Sequence, residues 1–356
     1  MAGITLSELL KKMIEMGGSD LHITTNSAPR VRVHGRLRAL DMPPLTAADT
    51  KSLAYSVLTD AQKHRFEENL ELDFSFGLKN LARFRGNVFN QRGAVGAVFR
   101  TIPWEIKGFD ALGLPLVVKS LCDKPRGLVL VTGPTGSGKS TTLAAMLDKI
   151  NGEREEHMIT IEDPIEFLHN HKRSTIHQRE LHSDTPNFAL ALRASLRQAP
   201  KVIFVGEMRD RETIEMVLEA ADMGLVVLST LNTIDASKTV ERIVGAFAPQ
   251  EQKSIRERFA KSFRFIISQR LIPGADGAGR LPAFEILKSN GRTRECVEKG
   301  ELEGRTLLDA IKSGEADGMQ YFDSEIAKLV RAGLIDLDTG VSFSSNAAVL
   351  GQELAK

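Results

Sequence analysis

The stretch GPTGSGKSTT, residues 133–142, decides how the rest of the chain is read. Gly133, Gly138, Lys139 and Ser140 fit the spacing GxxxxGK[ST] without a gap. The apolar run GLVLVT (127–132) precedes it and STTLAAMLDKI (140–150) follows with helical spacing, so the stretch joins a buried strand to a helix. Glycines let backbone N–H groups turn inward around phosphate oxygens, and the helix N-terminus adds a favourable dipole. The candidate nucleotide-binding residues are therefore Gly133, Pro134, Thr135, Gly136, Ser137, Gly138, Lys139, Ser140 and Thr141. Lys139 is expected on the β- and γ-phosphates of ATP and Ser140 on Mg²⁺.

Further along, the runs MITI (158–161), KVIFVG (201–206) and GLVVLSTL (224–231) alternate with helical segments. Such runs predict a mostly parallel sheet buried on both faces, an α/β fold with crossover helices. In such sheets ligands sit beyond the carboxyl ends of the strands. The segment ITIEDPIEF puts Glu162, Asp163 and Glu166 just past one strand, and VIFVGEMRD puts Glu207 past another. One carboxylate is expected to support Mg²⁺ and one to orient the attacking water. Any one of them alone could equally cap a helix or face solvent, because acids are mostly exposed.

Residues 1–101 read differently. Thr5 and Glu8 form a capping box ahead of Leu9, Leu10, Met13 and Ile14, and Gly17 and Gly18 end that helix. Alternating stretches at 19–40 and 71–102 flank two helices over 46–70, the pattern of a small α+β domain. Residues 102–114 are the expected linker, with Trp104 packing in it, and 115–356 the ATPase domain with a helical tail from about 285. The segment 252–271 reads as a helix with Ile255, Phe259, Phe263, Ile266 and Ile267 on one face. Arg256, Arg258, Lys261 and Arg264 fall on its solvated side, and 342–356 is expected to be loosely ordered. In RFRGNVFNQRGAVGAVFR (83–100), a turn centred on Arg92–Gly93 pairs residues whose numbers sum to 185 and sets Arg85 opposite Arg100. Like charges across strands repel, so an anion there would relieve them, although both could also point into water.

With a net charge of +1 and no track of basic and aromatic residues, nucleic acid is not an expected partner. Cys122 and Cys296 are the only cysteines, which excludes a zinc ribbon or disulfide framework and leaves them as small buried hydrophobes. His169, His171, His177 and His182 have no metal-site spacing and read as surface residues. The N-terminal stretch lacks the apolar core of a signal peptide, and no run approaches the roughly 20 apolar residues of a spanning helix. The expected location is cytoplasmic.

Taken together, the segments GGSDLHI (17–23), RFRGNVFNQ (83–91), FRTIP (99–103), GPTGSGKST, TIEDPIEF (160–167), LRQAPKVIFVGEMRDRET (196–213) and ASKTVERI (236–243) resemble the type IV pilus retraction ATPases, the PilT/PilU family, over most of the chain. The resemblance implies a PAS-like domain followed by a RecA-like P-loop ATPase domain, assembled as a homo-hexamer. The ring would sit peripherally at the inner-membrane base of a pilus machine, against a platform protein. It implies that Glu166 is the catalytic glutamate and Glu207 the Walker B glutamate. Arg85 and Arg100 would reach the γ-phosphate, Arg242 would be the arginine of the His box, and Glu162 would lie among the nucleotide-binding residues. Two departures stand out. Asn232 takes the place of the His-box histidine, and an amide cannot take up a proton. The tail segment RTRECVEK (292–299) departs from the principal motors and, with LIPGADGAGR, GMQYFD and SSNAAVL, is similar to the accessory PilU branch, which assists a second retraction ATPase. The alternatives are a pilus assembly or type II secretion ATPase, which often carries a tetracysteine insertion absent here, and a slow nucleotide-dependent scaffold for a partner ATPase. A RecA-like nucleic-acid motor is disfavoured by the charge.

Overall fold

The computed structural model describes residues 4–33, 36–79, 81–102, 105–277 and 279–355. Pro103 and Trp104, at the start of the expected linker, lie outside them. The chain divides into two compact units, Met1–Glu105 with Pro164–Leu168, and Ile106–Asp163 with His169–Lys356.

In the first unit, α1 (Leu6–Glu15) is followed by β1 (Asp20–Ile23), β2 (Arg30–Val33), β3 (Arg36–Ala39), α2 (Ala47–Tyr55), α3 (Asp60–Asn69), β4 (Glu71–Leu78), β5 (Ala82–Gln91) and β6 (Ala94–Ile102). The capping box closes as expected: the Glu8 N–H donates to Thr5 Oγ1 (3.3 Å) and the Thr5 N–H to Glu8 Oε2 (2.8 Å). Leu9, Leu10 and Met13 then pack with Phe66, Phe84 and Phe99 on one face of a six-stranded antiparallel sheet, order β3-β2-β1-β6-β5-β4. The β5–β6 hairpin turns at Arg92 (φ 49°) and Gly93 (φ 75°), the two left-handed residues of a tight hairpin loop. Its register pairs Arg85 with Arg100, as the sequence predicts.

The second unit runs α4 (Leu116–Leu121), β7 (Gly127–Thr132), α5 (Lys139–Glu153), β8 (His157–Glu162), β9 (Thr175–Glu180), α6 (Phe188–Ser195), β10 (Val202–Val205), α7 (Arg211–Asp222), β11 (Val226–Leu231), α8 (Ala236–Gly245), α9 (Pro249–Ser262), β12 (Phe263–Pro273), β13 (Arg280–Lys288), α10 (Gly291–Lys299), α11 (Leu307–Ser313), α12 (Phe322–Arg331), α13 (Leu337–Phe343) and α14 (Ala347–Leu354). Its seven-stranded sheet has the order β13-β12-β7-β11-β10-β8-β9, parallel except for β13. Alternate residues serve opposite faces. Leu128, Leu130, Ile159, Ile203 and Val227 pack with α6–α9, while Val129, Val131, Met158, Phe204 and Leu228 pack with α4 and α5. Each such side chain, fully buried, contributes about 1.5–3 kcal/mol, and the double coverage explains the unbroken apolar runs. This is the expected RecA-like α/β architecture. Both cysteines are buried, and burial pushes the Cys122 thiol up to about 12.

Five expectations need correction. The helix over 252–271 stops at Ser262, and Phe263, Ile266 and Ile267 belong to β12, buried from both sides like its neighbour β7. A run such as FRFII satisfies helical spacing and a doubly covered strand alike, and here the sheet edge claims it. The tail is not purely helical, since β13 adds an antiparallel strand before α10. The basic side chains of this region are not simply solvated. Arg258 pairs with Asp222, Arg256 donates to the Val297 carbonyl, and Arg264 donates to that of Lys261. The C-terminal segment is ordered: Asn346 caps α14, Leu350 is buried, and the Tyr321 hydroxyl donates to Glu353 at 2.7 Å. His169 also departs from a surface role, as burial lowers its pKa to about 4. Among the described residues no cluster of three or more His, Cys, Asp or Glu could hold a metal, and no helix is long and apolar enough to cross a membrane.

Candidate active site

In the parallel sheet, neighbouring strands β7, β11, β10 and β8 all point the same way, so the segments after their carboxyl ends share one edge. These segments are Gly133–Gly138, the turn from Asn232, Gly206–Arg209, and Asp163. The phosphate loop takes positive φ at Gly133 (148°), Gly136 (81°) and Gly138 (90°) before α5 begins at Lys139. The first N–H groups of α5 have no partner within the helix, which leaves donors for an anion. Ser137 Oγ is buried and has no hydrogen-bond partner among the described residues, a second polar group that a phosphate oxygen would satisfy. Lys139 Nζ donates to the carbonyls of Gly133 (2.8 Å) and Pro134 (3.1 Å), so its charge rests on the loop itself. Pro134, Thr135 and Gly136 are exposed, while Ser140 and Thr141 are half-buried in the first turn of the helix. From β12, Gln269 Oε1 accepts the Thr142 hydroxyl at 2.8 Å and ties the loop's helix to the sheet.

Beyond β10 and β11, Glu207 accepts two hydrogen bonds, from Asn232 Nδ2 at 2.7 Å and from Arg209 Nε at 2.8 Å. Arg209 Nη1 also reaches Asp163 Oδ2 at 3.2 Å, and its bond to Glu207 raises the guanidinium pKa further. Asn232 thus presents a neutral amide donor to the carboxylate. Glu162 is buried at the end of β8, where it accepts from the Thr160 hydroxyl (2.5 Å) and from Gln178 (3.1 Å). Glu166 is exposed and, among the described residues, has neither hydrogen-bond nor ion-pair partner. Arg242 lies exposed on α8, equally without a partner among them.

In the first unit the Arg85–Arg100 pair is not left to repel. Arg100 Nε donates to Asp20 Oδ1 at 2.7 Å, and Arg85 Nη2 lies 3.9 Å from Asp73 Oδ1. Asp20 is directly opposite Arg100 in the β1–β6 register, and its side chain is only 4% exposed. An anion is therefore not needed to explain the pairing. Arg100 meets Asp20 through Nε, and its side chain is 67% exposed. Burial would raise the Asp20 pKa, but the Ser19 hydroxyl and Arg100 outweigh it and hold the carboxyl below its ordinary range. Sequence inspection missed Asp20 and Arg209 as site-shaping residues, although both stand inside the quoted segments GGSDLHI and GEMRD.

Replacing Asp20 with asparagine is expected to lower the unfolding free energy at pH 7 by about 1–3 kcal/mol, the cost of a lost charged partner. Because the native pKa is depressed, this stabilisation is present above the unfolded value of about 3.9 and disappears as pH falls through the native one. Urea unfolding at pH 7 should separate wild type from variant. The two should converge in acid, and a constant difference down to pH 2 would contradict the assignment.

Known proteins are similar to this chain over most of its length. Over 330 residues the chain is 46% identical to the type IV pilus retraction ATPase PilT of Pseudomonas aeruginosa, covering 93% of this chain and 95% of that one. It is 36% identical over 340 residues to the type IV pilus ATPase PilU of the same organism, covering 96% and 88%. The crystal structure of the pilus retraction motor PilT with bound ADP superimposes with a TM-score of 0.91 at 44% identity, covering 98% of this chain and 99% of that one. Identity is higher to PilT over 330 residues than to PilU over 340. The site is that of an ATP-hydrolysing enzyme with a P-loop. Residues 3–325 match the family described as Type II/IV secretion system protein, and the chain belongs to that family of secretion ATPases.

Proposed function

We propose that this ATPase works as a homo-hexameric ring that couples Mg²⁺-dependent ATP hydrolysis to retraction of a type IV pilus. The observation that carries the reading is the phosphate loop beside the Glu207–Asn232–Arg209 network, in a chain that spans nearly the whole length of relatives named for pilus retraction. Gly133–Thr141 hold the phosphates, with Lys139 leaving the loop carbonyls for the β- and γ-phosphate oxygens. Ser140 and Glu207 serve Mg²⁺, which binds few protein ligands and keeps several waters, consistent with so sparse a donor set. Glu166, exposed and without a partner among the described residues, orients the attacking water, and Glu162 braces the end of β8. Arg85, Arg100 and Arg242 engage the γ-phosphate, where such a group contributes roughly 10³–10⁵ in rate. Hydrolysis then shifts each subunit between conformations, and the ring acts on an inner-membrane platform protein from the cytoplasmic side. The tail's likeness to PilU favours a second reading, an accessory motor working beside a second retraction ATPase.

Deleting the gene in its host tests the assignment. A retraction ATPase leaves cells with abundant pili and no twitching, restored by the wild-type gene and not by a Glu166→Gln copy. Cells without pili would point instead to an assembly ATPase. Full twitching that disappears only when a second retraction ATPase is weakened would select the accessory role.

A further inference from the structure

Glu285 is a buried carboxylate that no part of the proposed chemistry uses. It stands on β13, only 6% exposed, and accepts the N–H of Ala236 at 2.8 Å. Ala236 is the first residue of α8, and the segment before it runs from Asn232 to the N-cap Asp235, whose own carboxylate accepts the Lys238 N–H at 2.7 Å. Two carboxylates therefore hold one helix N-terminus, the end whose dipole favours negative charge. The charged groups facing Glu285 come from three elements: Asp235 at the start of α8, Arg270 on β12 and Asp323 on α12. Arg270 lies diagonally across the β12–β13 register, stacks 3.7 Å from the Phe322 ring centroid and donates to the Phe343 carbonyl and the Ser345 hydroxyl. A buried carboxylate without pairing is costly, and a core of this kind could as well have carried an apolar side chain.

We propose that Glu285 is a positioning residue for the nucleotide site: from β13 it pins the first turn of α8, and through that turn it keeps Asn232 in hydrogen-bond reach of Glu207. The role rests on the hydrolysis site proposed above. Burial chiefly, with Asp235 and Asp323, raises the Glu285 pKa to about 7 against the pull of the Ala236 N–H and Arg270. The charged form is the stronger acceptor for a helix N–H. Turnover should therefore rise with pH through about 7 as Glu285 ionises. Stability has the opposite sign. A raised native pKa means the contribution of Glu285 is complete below the unfolded value of about 4.3 and is lost as pH climbs through the native one. A merely structural carboxylate would move stability alone.

The test uses the full chain, with Glu285→Gln and Glu285→Ala. In Glu285→Ala, hydrogen–deuterium exchange over 232–240 should quicken by roughly 10-fold or more, as expected for losing one charge-assisted bond, with α5 unaffected. In Glu285→Gln, kcat should lose its rise near neutral pH while KM for ATP stays at the wild-type value. Unchanged exchange over 232–240 in the alanine variant overturns the proposal, as does a wild-type pH profile in Glu285→Gln. If the wild-type protein itself fails to hydrolyse ATP, the ATPase reading falls, and the exchange measurement still decides what Glu285 does.

Discussion

Glu166→Gln is expected to lower ATP turnover by about 10²–10⁴-fold, the range for loss of a positioned general base, while ATP still binds with near wild-type affinity. The expectation follows from what Glu166 lacks. Glu162 is buried against Thr160 and Gln178, and Glu207 is held by Asn232 and Arg209. Among the four acids singled out in the sequence, Glu166 is the exposed one that no described residue engages. A carboxylate saturated with protein donors makes a poor proton acceptor, and an unengaged one can order a water. Multiple-turnover kinetics with titration of a fluorescent nucleotide analogue separates the two effects. Equal losses in binding and turnover would instead mark Glu166 as a structural support of the site.

Gly133→Ala is expected to weaken nucleotide binding by roughly 10²-fold or more, since misplacing site atoms by about 1 Å costs that much. An added Cβ at Gly133 would lie 2.4 Å from Ser137 Oγ and 2.5 Å from the Gln269 carbonyl oxygen. The second neighbour is backbone of β12 inside the sheet, so the loop must move instead. The control is Gly136→Ala. Its Cβ meets nothing within 4 Å, although φ is +81°, so only conformational strain of about 1 kcal/mol applies. If both variants bind ATP alike, close packing at Gly133 does not shape the loop.

How much was legible beforehand depended on whether one interaction or several fixed each element. The phosphate loop was legible because two glycines, a lysine and a serine at fixed spacing have few other uses. The strands β7, β8, β10 and β11 were legible because double burial demands unbroken apolar runs. The hairpin register followed from Arg92–Gly93, where the turn alone sets the pairing. The start of β12 was not legible: Phe263, Ile266 and Ile267 satisfy a helix period until the neighbouring strand β7 is in place. Asp20 and Glu285 escaped for a similar reason. Their partners lie 80 and 49 residues away in the chain, and only the folded sheets bring them together. Asn232 was visible as a departure, but its bond to Glu207 needed the adjacent ends of β10 and β11.

The most direct test of the central claim is Mg²⁺-dependent ATP hydrolysis by the purified chain, measured against protein concentration with Glu166→Gln and Arg100→Ala as controls. A ring whose subunits complete one another's sites predicts specific activity that climbs steeply with concentration, and both substitutions should abolish it. Activity that binds ATP yet stays at the Glu166→Gln level at every concentration would contradict an independent motor and leave a nucleotide-dependent scaffold in its place.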